Sequence, residues 1–129
     1  MRRVATCVLA LALWLLLTGT AAADPSPDAW AHLRACESSG DYTIVSAGGD
    51  YYGAYQFDLA TWQSVGGTGL PNQATPGEQD YRALCLYRMR GWQPWTCARI
   101  LRLQPDADAA SQRVPSYADA AGMTATPPA

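Results

Sequence analysis

A continuous apolar run near the N-terminus is the first feature of the hydrophobic pattern. Residues 4–17 carry no charge, follow Arg2 and Arg3, and precede a run of small residues that ends at Ala23. This order is typical of a secretory signal peptide, and the apolar run is shorter than the roughly 20 residues that span a bilayer. We therefore predict a signal peptide over residues 1–23 and a secreted protein, extracellular or cell-wall associated, with no membrane attachment after cleavage.

Beyond the signal peptide the apolar positions first recur at helical spacing. Ser26 is a suitable N-cap, Pro27 takes the first helical position, and Gly40 ends the helix. His32 points away from the apolar stripe, so we expect it to face solvent. The stripe itself contains Trp30, Leu33, Cys36 and Glu37.

Two β-prone runs follow this helix. Residues 42–45 and 52–57 flank a small, polar loop at residues 46–50. The pattern predicts a β-hairpin with a flexible loop. In a strand Tyr52 and Gln56 would lie on the same face.

Local capping residues predict two further helices. Asp58 can cap a short helix over residues 59–65. Thr75 and Glu78 form a capping-box pattern, in which Glu78 reaches back to the cap amide, for a helix over residues 76–90. The fold class predicted is α+β: a small, mostly helical domain with one short hairpin.

Composition divides the mature chain into a domain and a tail. Residues 24–103 contain the periodic elements, and residues 104–129 form an Ala/Pro-rich segment that we expect to be flexible. Without Arg2 and Arg3 the chain keeps 9 − 2 = 7 basic and 11 acidic residues, a net charge of −4. This balance argues against nucleic-acid binding. The aromatic residues of the chain instead suit a cleft that binds a polysaccharide.

Cysteines bear on stability and on metal binding. Cys36, Cys85 and Cys97 remain after signal cleavage, in a compartment where disulfides persist, so one pair can form and one thiol is left over. A zinc site is a poor alternative because there is no CxxC pair and His32 has no partner histidine. We expect no metal and no other cofactor. Cys85 lies mid-helix, where packing is the default role and intermolecular pairing the alternative.

The candidate chemistry is carried by one carboxylate. The mature chain has two glutamates, and the capping box explains Glu78. Glu37 lies on the apolar stripe in the last turn of its helix, where burial and the helix dipole both favour the neutral acid. Such an acid could protonate a glycosidic oxygen. The alternative is a solvated glutamate at the edge of the helix.

Several separated blocks together resemble the catalytic domain of the resuscitation-promoting factors of actinobacteria. The blocks agree in order and spacing over residues 30–97: Trp30 to Gly40, Tyr51 to Phe57, Thr61-Trp62, Gly66-Gly67, and Gly91-Trp92 to Cys97. The resemblance implies a reduced lysozyme-like fold and a muralytic, transglycosylase-like activity. It also implies peptidoglycan glycan strands as the substrate, a peptidoglycan endopeptidase as a candidate partner, and a monomer.

Matching positions suggest roles for individual residues. The resemblance implies that Glu37 is the catalytic acid, that Cys36 pairs with Cys97, and that Thr61 lies in the substrate cleft. Further candidates for substrate contact are Tyr52, Gln56, Trp62 and Asp50.

Two mechanisms follow from the resemblance. The bond cleaved would be the MurNAc–GlcNAc β-1,4 glycosidic bond. A hydrolase would use Glu37 with a second carboxylate, for which Asp50 and Asp41 are the candidates. A lytic transglycosylase would need Glu37 alone.

The chain also departs from the family pattern. The turn after Glu37 lacks the second glycine of the usual Gly-Gly-Asn-Trp, and Arg90 stands where glutamine is frequent. Arg90 could pair with a wall carboxylate, although solvation is the favoured interpretation. These departures keep open an alternative function, a non-catalytic cell-wall-binding or growth-signalling protein with a lysozyme-like cleft.

Overall fold

The computed structural model describes residues 24–125, so the predicted signal peptide, residues 1–23, and the last four residues lie outside the described part. Within it no helix is long and apolar enough to cross a bilayer. The α-helices and one 3-10 turn follow in order: α1 (Pro27–Ser38), α2 (Leu59–Ser64), the 3-10 turn (Pro71–Gln73), α3 (Pro76–Arg90), α4 (Thr96–Ile100) and α5 (Tyr117–Ala121). The prediction of a mostly helical fold is confirmed.

Caps fix where the main helices begin and end. The Ser26 hydroxyl accepts a hydrogen bond from the Ala29 N–H at 3.2 Å, and α1 ends at Ser39 in the left-handed conformation, φ 56°. The Thr75 hydroxyl likewise accepts from the Glu78 N–H at 3.2 Å at the start of α3. These side chains satisfy N–H groups that have no partner within the helix. The predicted starts of both helices are therefore confirmed.

The second half of the predicted capping box is wrong. The Glu78 carboxylate does not reach back to the cap amide. It accepts hydrogen bonds from Arg82 Nε at 2.7 Å and from the Tyr117 hydroxyl at 2.8 Å. Glu78 is a structural residue that links α3 to α5.

The predicted β-hairpin is also wrong. Residues 24–125 contain no β-strand, and the two β-prone runs form only isolated bridges. Tyr52 and Phe57 exchange both of their backbone hydrogen bonds, at 2.9 and 3.0 Å, so the chain reverses between them. Gly53 and Gln56 have positive φ, 78° and 51°, which an extended strand cannot accommodate. Consequently Tyr52 and Gln56 do not share a sheet face.

The core is built around the indole of Trp30, which is fully buried. Four aromatic rings surround it with centroids 4.9 to 6.1 Å away, all edge-on: Tyr55, Tyr87, Trp92 and Trp95. Edge-to-face packing at these distances is the favoured geometry for aromatic rings. This cluster joins α1 to α3 and to the segment that leads into α4.

A disulfide joins Cys36 to Cys97, with the two Cα atoms 6.0 Å apart, as the family resemblance implies. It ties the last turn of α1 to α4. Cys85 is the free cysteine of the described residues and is half-buried against the core. Burial raises the pKa of its thiol.

Residues 104–125 are packed against the domain, unlike the flexible tail predicted from composition. Ala120 and Met123 are buried in the core cluster, and α5 contacts α3. The buried Arg88 of α3 pairs with Asp24 and, through its Nη2 at 3.4 Å, with Asp119. Composition does not reveal this packing, because the packing depends on two apolar side chains and on ion pairs between residues that are distant in sequence.

Candidate active site

An open cleft of about 410 Å³ lies at the end of α1. Its walls come from the last turn of α1, the reversal after Tyr51, the start of α2, the end of α3 and the segment before α4. The residues with polar side chains that line it are Glu37, Tyr51, Tyr55, Gln56, Asp58, Thr61, Arg90, Gln93, Trp95 and Thr96.

Glu37 is half-buried in this cleft. Burial raises the pKa of its carboxyl, because the charged form loses hydration, and the backbone N–H of Cys97 partly opposes this by stabilising the charged form. The disulfide joins Cys97 to the helix turn that carries Glu37. The result is a carboxyl that keeps its proton to a higher pH than a free glutamate.

Thr61 and Asp58 form the α2 side of the cleft. Asp58 Oδ1 accepts from the Thr61 N–H at 2.7 Å, and Oδ2 accepts from the Thr61 hydroxyl at 3.1 Å. Asp58 therefore caps the helix and also fixes the Thr61 side chain. The Thr61 oxygen keeps its acceptor capacity for a ligand.

Gln56 enters the cleft through a strained backbone. Its φ of 51° is rare for a residue with a side chain. Its Nε2 donates to the Gly53 carbonyl at 3.0 Å, which holds the amide in place. The amide oxygen accepts no hydrogen bond from the described residues, so it remains available to a ligand hydroxyl.

Tyr55 makes a rigid wall. The hydroxyl of this buried residue donates to the Asp80 carboxylate and accepts from Arg34 Nη1 at 2.9 Å. Burial and the nearby Asp80 raise the pKa of Tyr55 well above its usual range, so it stays neutral. The Trp95 Nε1–H donates to the Tyr55 carbonyl at 3.2 Å and holds the opposite end of this residue.

Three of the sequence-predicted substrate contacts lie elsewhere. Trp62 is a core residue with 0% exposure, and its Nε1 donates to the Thr68 carbonyl at 3.2 Å. Tyr52 is half-buried but does not line the cleft, and Asp50 lies exposed in the loop before it. Asp41 is also exposed and outside the cleft. Of the predicted site residues, the cleft brings together Glu37, Gln56 and Thr61.

Three features of the cleft do not follow from the sequence pattern. Tyr51, which the sequence does not single out as a substrate contact, is 49% exposed and lines the cleft, where its ring can stack on a ligand. Asp58 was recognised only as a helix cap. The pairing of Arg90 with Gln93 was not anticipated at all: Gln93 Oε1 accepts from Arg90 Nε at 3.3 Å and from Nη2 at 3.1 Å.

A family model described as a transglycosylase-like domain matches residues 23–98. Resuscitation-promoting factor Rpf of Micrococcus luteus is 46% identical over 84 residues, which are 64% of this chain and 37% of that protein. Resuscitation-promoting factor Rpf1 of Corynebacterium glutamicum is 31% identical over 116 residues, 87% of this chain and 55% of that protein.

A third relative, resuscitation-promoting factor RpfC of Mycobacterium tuberculosis, is 37% identical over 83 residues, 64% of this chain and 58% of that protein. The chain therefore spans between 37% and 58% of the length of these relatives.

Proposed function

Because this chain belongs to the resuscitation-promoting factor family and carries its transglycosylase-like domain, we propose that it cleaves peptidoglycan. The bond is the MurNAc–GlcNAc β-1,4 glycosidic bond, and Glu37 is the general acid and then the base. The protein acts after export, on glycan strands of the cell wall, and its cleavage promotes growth by remodelling the wall.

The observation that carries this proposal is the half-buried position of Glu37 in the cleft, where burial raises the pKa of its carboxyl. A glycosidic oxygen is a poor leaving group until it is protonated, and an acid whose pKa lies closer to the working pH is the better donor. Glu37 is the one glutamate that lines the cleft, since Glu78 is committed to Arg82 and Tyr117.

The surroundings of Glu37 favour a mechanism with one catalytic carboxylate. Asp50 and Asp41, the candidates for a second, lie outside the cleft. Asp58 lines it, but both of its oxygens accept hydrogen bonds from Thr61. Asp58 thus has a structural role as the cap of α2 and the partner of Thr61, whereas the two-carboxylate scheme of ordinary glycosidases needs a second carboxylate that faces the sugar.

The single-carboxylate scheme is that of a lytic transglycosylase. Glu37 gives its proton to the oxygen that leaves C1 of N-acetylmuramic acid, and the C1–O bond breaks. The Glu37 carboxylate then removes the proton of the same sugar's 6-hydroxyl as that oxygen bonds to C1. The products are a free hydroxyl on the departing sugar and a 1,6-anhydro ring, with Glu37 protonated again.

Tyr51, Gln56 and Thr61 are the proposed substrate contacts. Tyr51 offers an exposed ring for stacking, and the other two offer hydrogen-bond acceptors held in place by Gly53 and Asp58. Recognition by such groups does not require a positive protein surface. This fits a mature chain whose net charge is negative.

Mass analysis of muropeptides after digestion of purified wall tests the proposal. Anhydro products are expected from the wild type, none from a folded Glu37→Gln variant, and nearly normal yields from Asp50→Asn, the matched control that removes an exposed carboxylate outside the cleft. Asp58→Asn should lower the yield less than Glu37→Gln. Clearing of wall by folded Glu37→Gln would overturn the assignment, and reducing ends in place of anhydro ends would identify a hydrolase.

A further inference from the structure

We propose that Arg90 is a specificity-determining residue that binds a carboxylate group on the substrate, so that the cleft prefers acidic over amidated muramoyl substituents. This inference rests on the proposed function and adds a substrate class to it. It is carried by the position, pairing and charge of the Arg90 side chain.

Arg90 lies at the cleft with one edge of its guanidinium already held. It is the last residue of α3 and lines the same cleft as Glu37. Gln93 Oε1 accepts hydrogen bonds from both Nε and Nη2 of Arg90, at 3.3 and 3.1 Å. The opposite edge of the fork carries Nη1–H and the second Nη2–H, a pair that matches the two oxygens of a carboxylate.

The backbone after α3 places Gln93 against Arg90. Gly91 ends the helix with φ 62° and ψ −147°, a conformation that favours glycine. Trp92 is buried in the core immediately afterwards, which anchors the reversed chain. Gln93 is thereby brought back beside the last turn of α3. Both side chains are exposed, and the two hydrogen bonds to Gln93 restrict the rotation of the Arg90 side chain.

Arg90 has no carboxylate partner among the described residues, a property it shares with Arg34, Arg99 and Arg102. Arg82 pairs with Glu78, Arg88 with Asp24 and Asp119, and Arg113 with Asp108. No carboxylate within residues 24–125 lies in ion-pair distance of Arg90. It is moreover the one basic residue that lines the cleft.

An acidic substituent on the glycan is the ligand that fits this arrangement. The muramic acid residues of peptidoglycan carry a lactyl group, and the peptides attached to it bear carboxylates. A mature protein of negative net charge repels such groups overall. The free edge of the Arg90 guanidinium supplies a local positive charge that attracts a carboxylate.

Binding of soluble glycan tetramers provides the test. Dissociation constants are measured by calorimetry for tetramers with free peptide carboxylates, for the same tetramers with these groups amidated, and for tetramers stripped of peptide, which expose the lactyl carboxylate. The full chain is used with Glu37→Gln, so that the ligand is not consumed. Arg90→Gln removes the charge, and Arg99→Gln is the matched control, since Arg99 is exposed and lies outside the cleft.

We expect the Glu37→Gln protein that keeps Arg90 to bind the acidic tetramers about tenfold more tightly than the amidated ones, which is the effect of one charge-assisted pair. The preference should nearly vanish in Arg90→Gln, persist in Arg99→Gln and weaken with added salt. The lactyl carboxyl is amide-bonded in the peptide-bearing form and free only in the stripped form. If stripped tetramers bind as tightly as the peptide-bearing acidic form, Arg90 also accepts the free lactyl carboxylate; if they bind weakly, it selects the peptide carboxylate.

Equal binding of acidic and amidated tetramers would overturn the inference, as would a preference that survives Arg90→Gln or disappears equally in Arg99→Gln. These outcomes are separate from the failure of the proposed function. That failure appears as an absence of cleavage products from wild-type protein, whatever the binding constants. Cleavage without a preference would remove the role of Arg90 alone.

Discussion

Met123→Ala should destabilise the domain, although Met123 belongs to the segment whose composition predicts a flexible tail. The side chain is 2% exposed and packs in the core cluster just after α5. Replacing a buried methionine by alanine costs about 2 to 5 kcal/mol, through lost transfer energy and a residual cavity. Since this site is near the chain end, where the backbone can move to close the cavity, we expect roughly 2 kcal/mol, the lower end of that range.

Equilibrium unfolding in urea measures the effect. A loss of roughly 2 kcal/mol shifts the midpoint by about 1 M for a domain of this size. Val114→Ala is the matched control, because Val114 lies in the same segment and is 83% exposed. A surface truncation of that kind should change the free energy of unfolding by less than about 0.5 kcal/mol.

Equal midpoints for Met123→Ala and Val114→Ala would refute the reasoning. Such a result would mean that residues 104–125 detach before the domain unfolds, so that their contacts contribute nothing to global stability. It would also restore the domain boundary predicted from composition.

Two further predictions concern the turn that carries Glu37. Reduction of the Cys36–Cys97 disulfide, whose cysteines are 61 residues apart, should lower the free energy of unfolding by about 4 kcal/mol in the chain-entropy model; equal urea midpoints with and without reductant would contradict this. Burial raises the pKa of Glu37 above its ordinary value of 4.5, so the folded state binds the proton more tightly than the unfolded state does. The contribution of this proton to the free energy of unfolding is present below pH 4.5 and is lost as pH rises through the folded-state pKa. Glu37→Gln should therefore gain stability relative to wild type as pH rises from about 4 to 7, and a difference that does not change with pH would exclude this linkage.

Helix starts could be predicted because caps act over three residues. Ser26, Asp58 and Thr75 each accept a hydrogen bond from the backbone N–H three positions later, as their sequences predict. The local pattern wrongly predicts a β-hairpin, because the contacts that prevent it come from residues distant in sequence. The amide oxygen of Gln79, in α3, accepts from the Ala54 N–H at 3.0 Å and lies where a side chain at Gly53 would have to be.

A cleft residue could be predicted from the sequence where its chemistry restricts its position in the fold. It could not be predicted where its residue type fits several positions equally well. A glutamate on an apolar stripe has few uses, which is why Glu37 could be identified before the fold was known. Aromatic residues fit a core and a sugar site equally well. Trp62, a predicted substrate contact, is 0% exposed, whereas Tyr51, which the sequence does not single out, is 49% exposed and lines the cleft. Only three-dimensional packing separates the two roles.

The disulfide also influences the chemistry of the candidate acid. Cys36 precedes Glu37 at the end of α1, and its partner Cys97 supplies the backbone N–H that stabilises the carboxylate. Burial acts in the opposite direction and prevails, so the pKa of Glu37 is raised. If burial acted alone, the carboxyl would keep its proton to a still higher pH. The Cys97 amide limits that rise, and the disulfide joins Cys97 to the last turn of α1.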